Sequence, residues 1–485
     1  MTELTGTNCP AAQTNTMSSK SFQNADKLEG VVSVTQFGAV GDGVTDDTAA
    51  IQAAINYAQS SGQSLYITST LHSYKITSPL IITSGVSIIG DGYSPTVGSN
   101  FGNRGPGSWL QFSHLGHGIV IDNAGSLISG VFIEKIGTFR NQVTPEAGWA
   151  PLQTGYDINI GNADVHIANV MLWNCSYGIQ INSTSGGRLQ VDGLQGQPLI
   201  KGIHINICLD VCRLNNIHFW PYWYNDNTYV NAYTKLNLIG ILLERADNAI
   251  VTNFFCIFVY DGIRFGFNAT GYSQRVQLSN IGIDSVSHAS INVIAGADGT
   301  SFMATNLYGY SSGNVSYGLL ALASNCIIQM SNVRFSLLGF SASSINGSGN
   351  IAQFTNWTID GYNGANNNSP CFFSGGGNKT YISDKPIVTA TNPANLINST
   401  STASVGHIVA TGAYIIPNPS LSIVITHNLG YTPQPYQINL QPNSSQTPAG
   451  VYVDTITETQ FTIRCFPAAT GSANGNWSID GRSSI

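Results

Sequence analysis

One short phrase recurs through residues 216–360, an Asn followed by apolar residues alternating with outward-type ones. It reads Asn216-Ile-His-Phe-Trp, Asn253-Phe-Phe-Cys-Ile, Asn280-Ile-Gly-Ile-Asp, Asn306-Leu-Tyr-Gly-Tyr, Asn332-Val-Arg-Phe-Ser and Asn356-Trp-Thr-Ile-Asp. The last five Asn residues are spaced 27, 26, 26 and 24 apart, a period at which each repeat is one turn of a solenoid. Positions +1 and +3 are mostly Ile, Phe, Leu, Val or Cys, whereas +2 and +4 include His218, Arg334, Asp284 and Asp360. That alternation belongs to a strand with one buried face. The expected fold is all-β, a right-handed parallel β-helix, with each Asn opening a strand, +1 and +3 pointing into the tube and +2 and +4 facing out.

Composition agrees and excludes other classes. A chain of 485 residues with 52 Gly and only 9% charged side chains suits a turn-rich β protein with a large core. A net charge of −7 with 18 Lys plus Arg argues against nucleic acid, which needs a concentrated basic face. No apolar run reaches membrane-span length, and the N-terminus lacks the order of a signal peptide, so a soluble chain without a membrane partner is expected. The eight Cys form no metal-type cluster; Cys208, Cys212 and Cys256 are expected as buried thiols. His114, His117 and Asp122 lack a fourth ligand, so no metal site and no cofactor is expected.

Residues 1–30 are polar and without periodicity, as in a flexible arm. Thr45 or Asp46 then caps a helix whose apolar face is Ala50, Ile51, Ala54, Ile55 and Ala58, placed to plug the open end of the first coil. The wording Phe37-Gly-Ala-Val-Gly-Asp-Gly-Val-Thr-Asp-Asp-Thr-Ala-Ala-Ile-Gln resembles the N-terminal signature of the pectate-lyase-like β-helix superfamily, which includes many bacteriophage tailspikes. Asp42, Asp46 and Asp47 read as turn and cap residues. The coils are expected over 31–390, a linker over 391–404, and a small β-sandwich over 405–485. His427-Asn-Leu-Gly-Tyr-Thr-Pro with Trp477-Ser-Ile-Asp resembles C-terminal domains of phage tail fibres, which implies trimerisation or glycan binding there.

Longer intervals, 47 from Asn169 to Asn216 and 37 from there to Asn253, mark insertions, which in a solenoid collect on one, often binding, face. The second holds His218, Trp220, Tyr222, Trp223, Tyr224 and Tyr229, a density of rings that either stacks sugar faces or packs against a neighbouring subunit. The run Asp210-Val-Cys-Arg-Leu-Asn-Asn-Ile-His-Phe-Trp-Pro-Tyr-Trp looks like a segment of phage tailspike depolymerases. The resemblance covers about 31–390 and implies a homotrimer attached to phage tail or baseplate proteins, acting at the bacterial surface on capsular or O-antigen polysaccharide; endo-glycosidic hydrolysis with paired carboxylates is the expected reaction, with a β-eliminating lyase or a non-catalytic glycan-binding fibre as the alternatives.

Registering the coils gives an outward +2 column of His218, Phe255, Gly282, Tyr308, Arg334 and Thr358, and a +4 column containing Trp220, Ile257, Asp284 and Tyr310. Apolar neighbours disfavour the charged form of a carboxylate, as a general acid requires, so Asp284 is the candidate acid. Asp261, one rung from His288, and Glu244, with Asp247 behind it, are candidate bases, and Glu244 with Asp261 is the alternative pair. Arg264 or Arg334 could neutralise a uronate if His288 or Tyr308 served as the base of a lyase. The polygalacturonase, pectate lyase and alginate epimerase patterns are not found, which points away from pectin.

Overall fold

The computed structural model describes residues 30–94, 104–184 and 186–382, and parts of 386–480. The polar arm expected at 1–30 and most of the segment after His427 lie outside the described residues. Parallel ladders build a sheet of 18 strands and another of 12, and the chain alternates between them once per coil.

The recurrent Asn does not open a strand; it sits inside one, as in Val276–Val286 and Ser301–Ser311. Asn169, Asn216, Asn253, Asn280, Asn306, Asn332 and Asn356 all have φ between 51° and 54°. A left-handed residue bends the strand and shifts its parity. Leu278 and Ile281, three apart, therefore both point inward. The Asn column folds the long sheet into a first face before the bend and a second face after it, and the 12-stranded sheet closes the tube as a third. Asn is the non-glycine residue best suited to this conformation, and its amide also bridges rungs. Asn253 Nδ2 donates to Asn215 Oδ1 at 2.9 Å, Asn280 to Asn253 at 3.1 Å, Asn306 to Asn280 at 3.1 Å, Asn332 to Asn306 at 3.2 Å and Asn356 to Asn332 at 2.8 Å.

Inside the tube the expected +1 and +3 residues are buried, from Ile217 and Phe219 to Trp357 and Ile359. The third face has its own phrase, Gly-Ile-x-Ile, at Gly178, Gly202 and, with Leu or Phe closing it, Gly240 and Gly262. Ile179, Ile203, Ile241, Ile263 and Ile291 stack in register beneath it. The glycines stand where the interior is narrowest: a Cβ on Gly202 would lie 2.3 Å from the Phe219 ring, and one on Gly262 2.3 Å from Ile283. Cys175, Cys208, Cys212, Cys256, Cys326 and Cys371 are buried free thiols.

The helix Thr48–Ser61 caps the tube with Ile51, Ala54, Ile55 and Ala58. Asp46 accepts from the Thr48 amide at 3.1 Å, while buried Asp47 turns back to the Val40 and Gly41 amides at 2.7 and 3.0 Å. Asp42 accepts from Val44 and Thr45 in its own turn. At the other end, Ile397–Ser399 pairs in parallel with Phe372–Ser374, and Ser404–Gly406 with Lys379–Tyr381. Coil pairing thus runs through the stretch expected as a linker, because short Ser and Thr strands need only ladder bonds to continue it. Beyond it, two three-stranded antiparallel sheets form, and Phe461 of one meets Trp477 of the other edge-on at 5.2 Å.

Candidate functional site on the third face

The structure divides the candidate residues between two faces. Pairing confirms His218, Phe255, Gly282, Tyr308, Arg334 and Thr358 as one column of the second face, with Ile257 opposite Asp284. On the far side of Asp284 the ladder shifts, and Ser285 adopts φ 49°. The Asp284 carboxylate accepts from Ser285 Oγ at 3.0 Å. Arg334 is committed to Asp360 at 2.6 Å, with its guanidinium 5.9 Å from the Tyr308 ring.

Asp261, Glu244, Arg264 and His288 belong instead to the third face or the corner leading into it. The Asp261 side chain is wholly buried. It takes Arg264 Nε at 2.6 Å and Asn292 Nδ2 at 2.9 Å on one oxygen, and His288 Nδ1 at 2.7 Å on the other. His288 lies flat on Tyr260, centroids 4.4 Å apart, and meets the edge of Tyr317 at 6.3 Å. With a carboxylate on Nδ1, the neutral ring carries its proton on that nitrogen and keeps its lone pair on Nε2. Asp261 therefore cannot touch a substrate; this corrects its assignment as acid or base, and it acts by holding the imidazole. One rung's spacing had shown the contact, while the burial came from the corner, which sequence does not display.

Glu244 is the reachable carboxylate of this face. Its Oε2 is 3.0 Å from His204 Nε2, and the Tyr156 hydroxyl is 2.7 Å from His204 Nδ1. Arg245 pairs with Asp247 at 3.0 Å, so Asp247 braces the strand end. Ile239 is level with Asp261, which puts Glu244 five residues further along the neighbouring strand. At ~3.3 Å per residue their Cα atoms are about 17 Å apart, beyond the roughly 5 to 9.5 Å carboxyl separation of a glycosidase pair. Glu244 with Asp261 is therefore not such a pair.

The aromatic insertion is mainly a packed wall. Tyr222, Trp223 and Tyr224 are buried with Trp109, Phe139, Trp149 and Trp173 in a cluster outside the tube. Trp223 and Tyr233 both lean on Trp149, at 6.0 and 5.6 Å. Tyr222 and Trp223 are thus closed to sugar, Trp223 packing on Trp149 from the loop 141–153 three coils earlier. Trp220 and His218 stay half-exposed and contact Phe255 at 6.1 and 5.3 Å. With the helix Val230–Asn237, the wall stands at the corner between second and third faces, beside Tyr177 and His288. An open hollow of about 710 Å³ near Asp42, His72 and Arg104 is unrelated to this face, and its Arg104 lies on Phe139.

Sequence reading missed Lys201, His204, Tyr156, Tyr177 and Tyr260. For His204 the signal was present in Gly-Ile-x-Ile: the x positions Gln180, His204, Leu242 and Arg264 are one column in register, which Asn292 continues.

Stacked parallel coils closed by an N-terminal helix make a parallel β-helix, with a cluster of ionisable side chains on its third face. Residues 31–190 match the family model described as rhamnogalacturonase A/epimerase, pectate lyase-like. A glucan 1,3-beta-glucosidase of Cochliobolus carbonum is 35% identical over 94 residues, 19% of this chain; the match spans 10% of that enzyme's length. A double mutant of the tailspike protein of E. coli bacteriophage HK620 is similar over 95% of each chain, with a TM-score of 0.53 at 10% identity. The Dettilon tailspike protein is similar over 94% of this chain and 95% of its own, with a TM-score of 0.47 at 14% identity. The architecture shared with the HK620 protein is the parallel β-helix.

Proposed function

We propose that this chain is a phage tailspike that binds and depolymerises bacterial surface polysaccharide, capsule or O-antigen, as a homotrimer on the virion tail. The observation that carries this reading is the His288 imidazole, fixed by buried Asp261 and backed by Tyr260, with Arg264 beside it on an outer face bounded by an aromatic wall. A neutral imidazole with one nitrogen anchored and the other free is a positioned general base. Elimination at a uronate fits it best. His288 Nε2 removes the proton beside the carboxyl, the C–O bond to the leaving sugar breaks, and a protonated tyrosine such as Tyr317, whose pKa burial raises, returns a proton to that oxygen.

A second reading, endo-glycosidic hydrolysis, is supported by the accessible carboxylate of Glu244. It needs a second carboxylate, for which Asp284 or a residue of a neighbouring subunit stands as the proposal.

Capsule and O-antigen preparations incubated with the protein and run on gel filtration test the activity. Shortened chains absorbing in the ultraviolet as unsaturated uronates are the expected result; shortened chains without that absorbance assign hydrolysis. Retention of polymer at full length would make this a glycan-binding fibre.

A further inference from the structure

We propose that Lys201 forms an acid-recognition subsite on the third face, selecting polysaccharides that carry an anionic substituent, carboxylate or phosphate, on a sugar next to the one that reacts. The inference rests on the polysaccharide reading above. Lys201 opens the strand Lys201–Cys208 and lies in register between Tyr177 and Ile239, half-buried. Glu244 and Arg264 are the charges that act on its ammonium.

The other charges of this face are committed. Arg264 is held on Asp261 through Nε at 2.6 Å and Nη2 at 2.5 Å, and Glu244 is 3.0 Å from His204. The Lys201 ammonium makes no hydrogen bond or ion pair within 4 Å with any described residue, although it has lost much of its water. Burial lowers its pKa, while Glu244 acts in the opposite sense. A half-desolvated cation with no direct bonding partner, beside the half-exposed Tyr177, is poised for an incoming anion. Tyr177, half-exposed and in register beside Lys201, supplies a ring face for the same sugar, with buried Tyr156 behind it at 5.3 Å.

The position also separates this subsite from the base. Lys201, Ile239, Asp261 and Ala289 follow one another in register, and His288 precedes Ala289. Three rungs of ~4.8 Å place Lys201 about 14 Å from His288 across the strands. An anion on Lys201 therefore belongs to a different sugar from the one whose proton His288 removes.

The test uses the full chain, immobilised, with acidic and neutral bacterial polysaccharides as probes, each acidic polymer also offered after carboxyl reduction or dephosphorylation. Polymer length is read in parallel by gel filtration. The wild type is expected to hold an acidic polymer at least about tenfold more tightly than its neutralised form. Lys201→Met should bring that ratio to near unity, and Lys201→Arg should keep it, with thermal melts confirming that both variants fold. Carboxyl reduction abolishing the preference names a uronate-type acid, and dephosphorylation doing so names a phosphate. Acidic polymers held through Lys201 but never shortened would leave the subsite standing and remove the depolymerase reading. Equal binding of acidic and neutral forms, an unchanged ratio in Lys201→Met, or no binding at all would overturn the subsite.

Discussion

At the scale of single residues, the contact between Asp261 and His288 does most to set the chemistry. If Asp261 only holds the ring, Asp261→Asn should lower kcat by roughly 10- to 100-fold with little change in KM, as other supporting partners of a functional histidine do. His288→Ala should cost on the order of 100-fold or more. Steady-state kinetics on one purified polymer reads both. Loss of turnover in Glu244→Gln and Asp284→Asn, with His288→Ala unaffected, would restore hydrolysis as the leading mechanism. A second group of histidines bears on stability. Burial first, then the Arg140 charge, holds His114 down to about 4 from 6.5, and the same two causes lower His117. These rings stay neutral in the folded chain, whereas unfolded histidine takes up a proton below about pH 6.5, so falling pH favours the unfolded state. The melting temperature should therefore fall between about pH 6.5 and 4, with a shallower slope in His114→Gln. A flat profile across that window would contradict the assignment.

At the scale of elements, the Asn bend is both the most legible feature and one that sequence reading misplaced. Its period and the burial of +1 and +3 are visible because the same conformation recurs on every rung and only Asn or Gly adopts it cheaply. That the residue lies mid-strand is not visible, since Leu278 and Ile281 read as two separate alternations until φ is known. Asn306→Ala should destabilise by about 1 to 2 kcal/mol from the left-handed backbone, plus its two ladder bonds, and Asn306→Gly by less. Chemical denaturation compares them, and an alanine as stable as the glycine would remove the backbone argument. The third face was harder to read because its intervals vary. The helix Val230–Asn237 lies between Cys208 and Ile239 and stretches one coil, so His204 and Glu244 meet across 40 residues of sequence. Elements of the interior also escaped notice, above all the buried pair of Arg140 with Asp157 at 2.7 Å, also bonded by Thr138 at 2.6 Å. Asp157→Asn leaves a guanidinium buried without its anion and should cost about 3 to 5 kcal/mol by denaturant titration. A loss under about 1 kcal/mol would mean water reaches Arg140.

At the scale of the molecule, the proposed trimer needs an apolar surface. Phe255 and Ile257 are only partly exposed, with Phe255 shielded by Trp220 and His218. The first face is better suited. Met303, Ile327 and Ile351 stand 50%, 49% and 37% exposed there, beside Gln329, Gln353 and Thr305 and without a charged side chain between them. Met303→Lys with Ile327→Lys should shift a trimer toward monomer in light scattering at micromolar concentration; an unchanged mass would place the contact elsewhere. The capping helix has a different bearing on assembly. A stack of near-identical rungs ends in a row of amides and carbonyls that matches the row it would next bind, so an uncovered end behaves like the growing face of a crystal. Among the described residues the strand Val31–Ser33 is the last rung, and Thr48–Ser61 packs at that end. The helix is thus a terminator as well as a lid, and it decides whether the molecule remains a particle of fixed length or becomes a fibre.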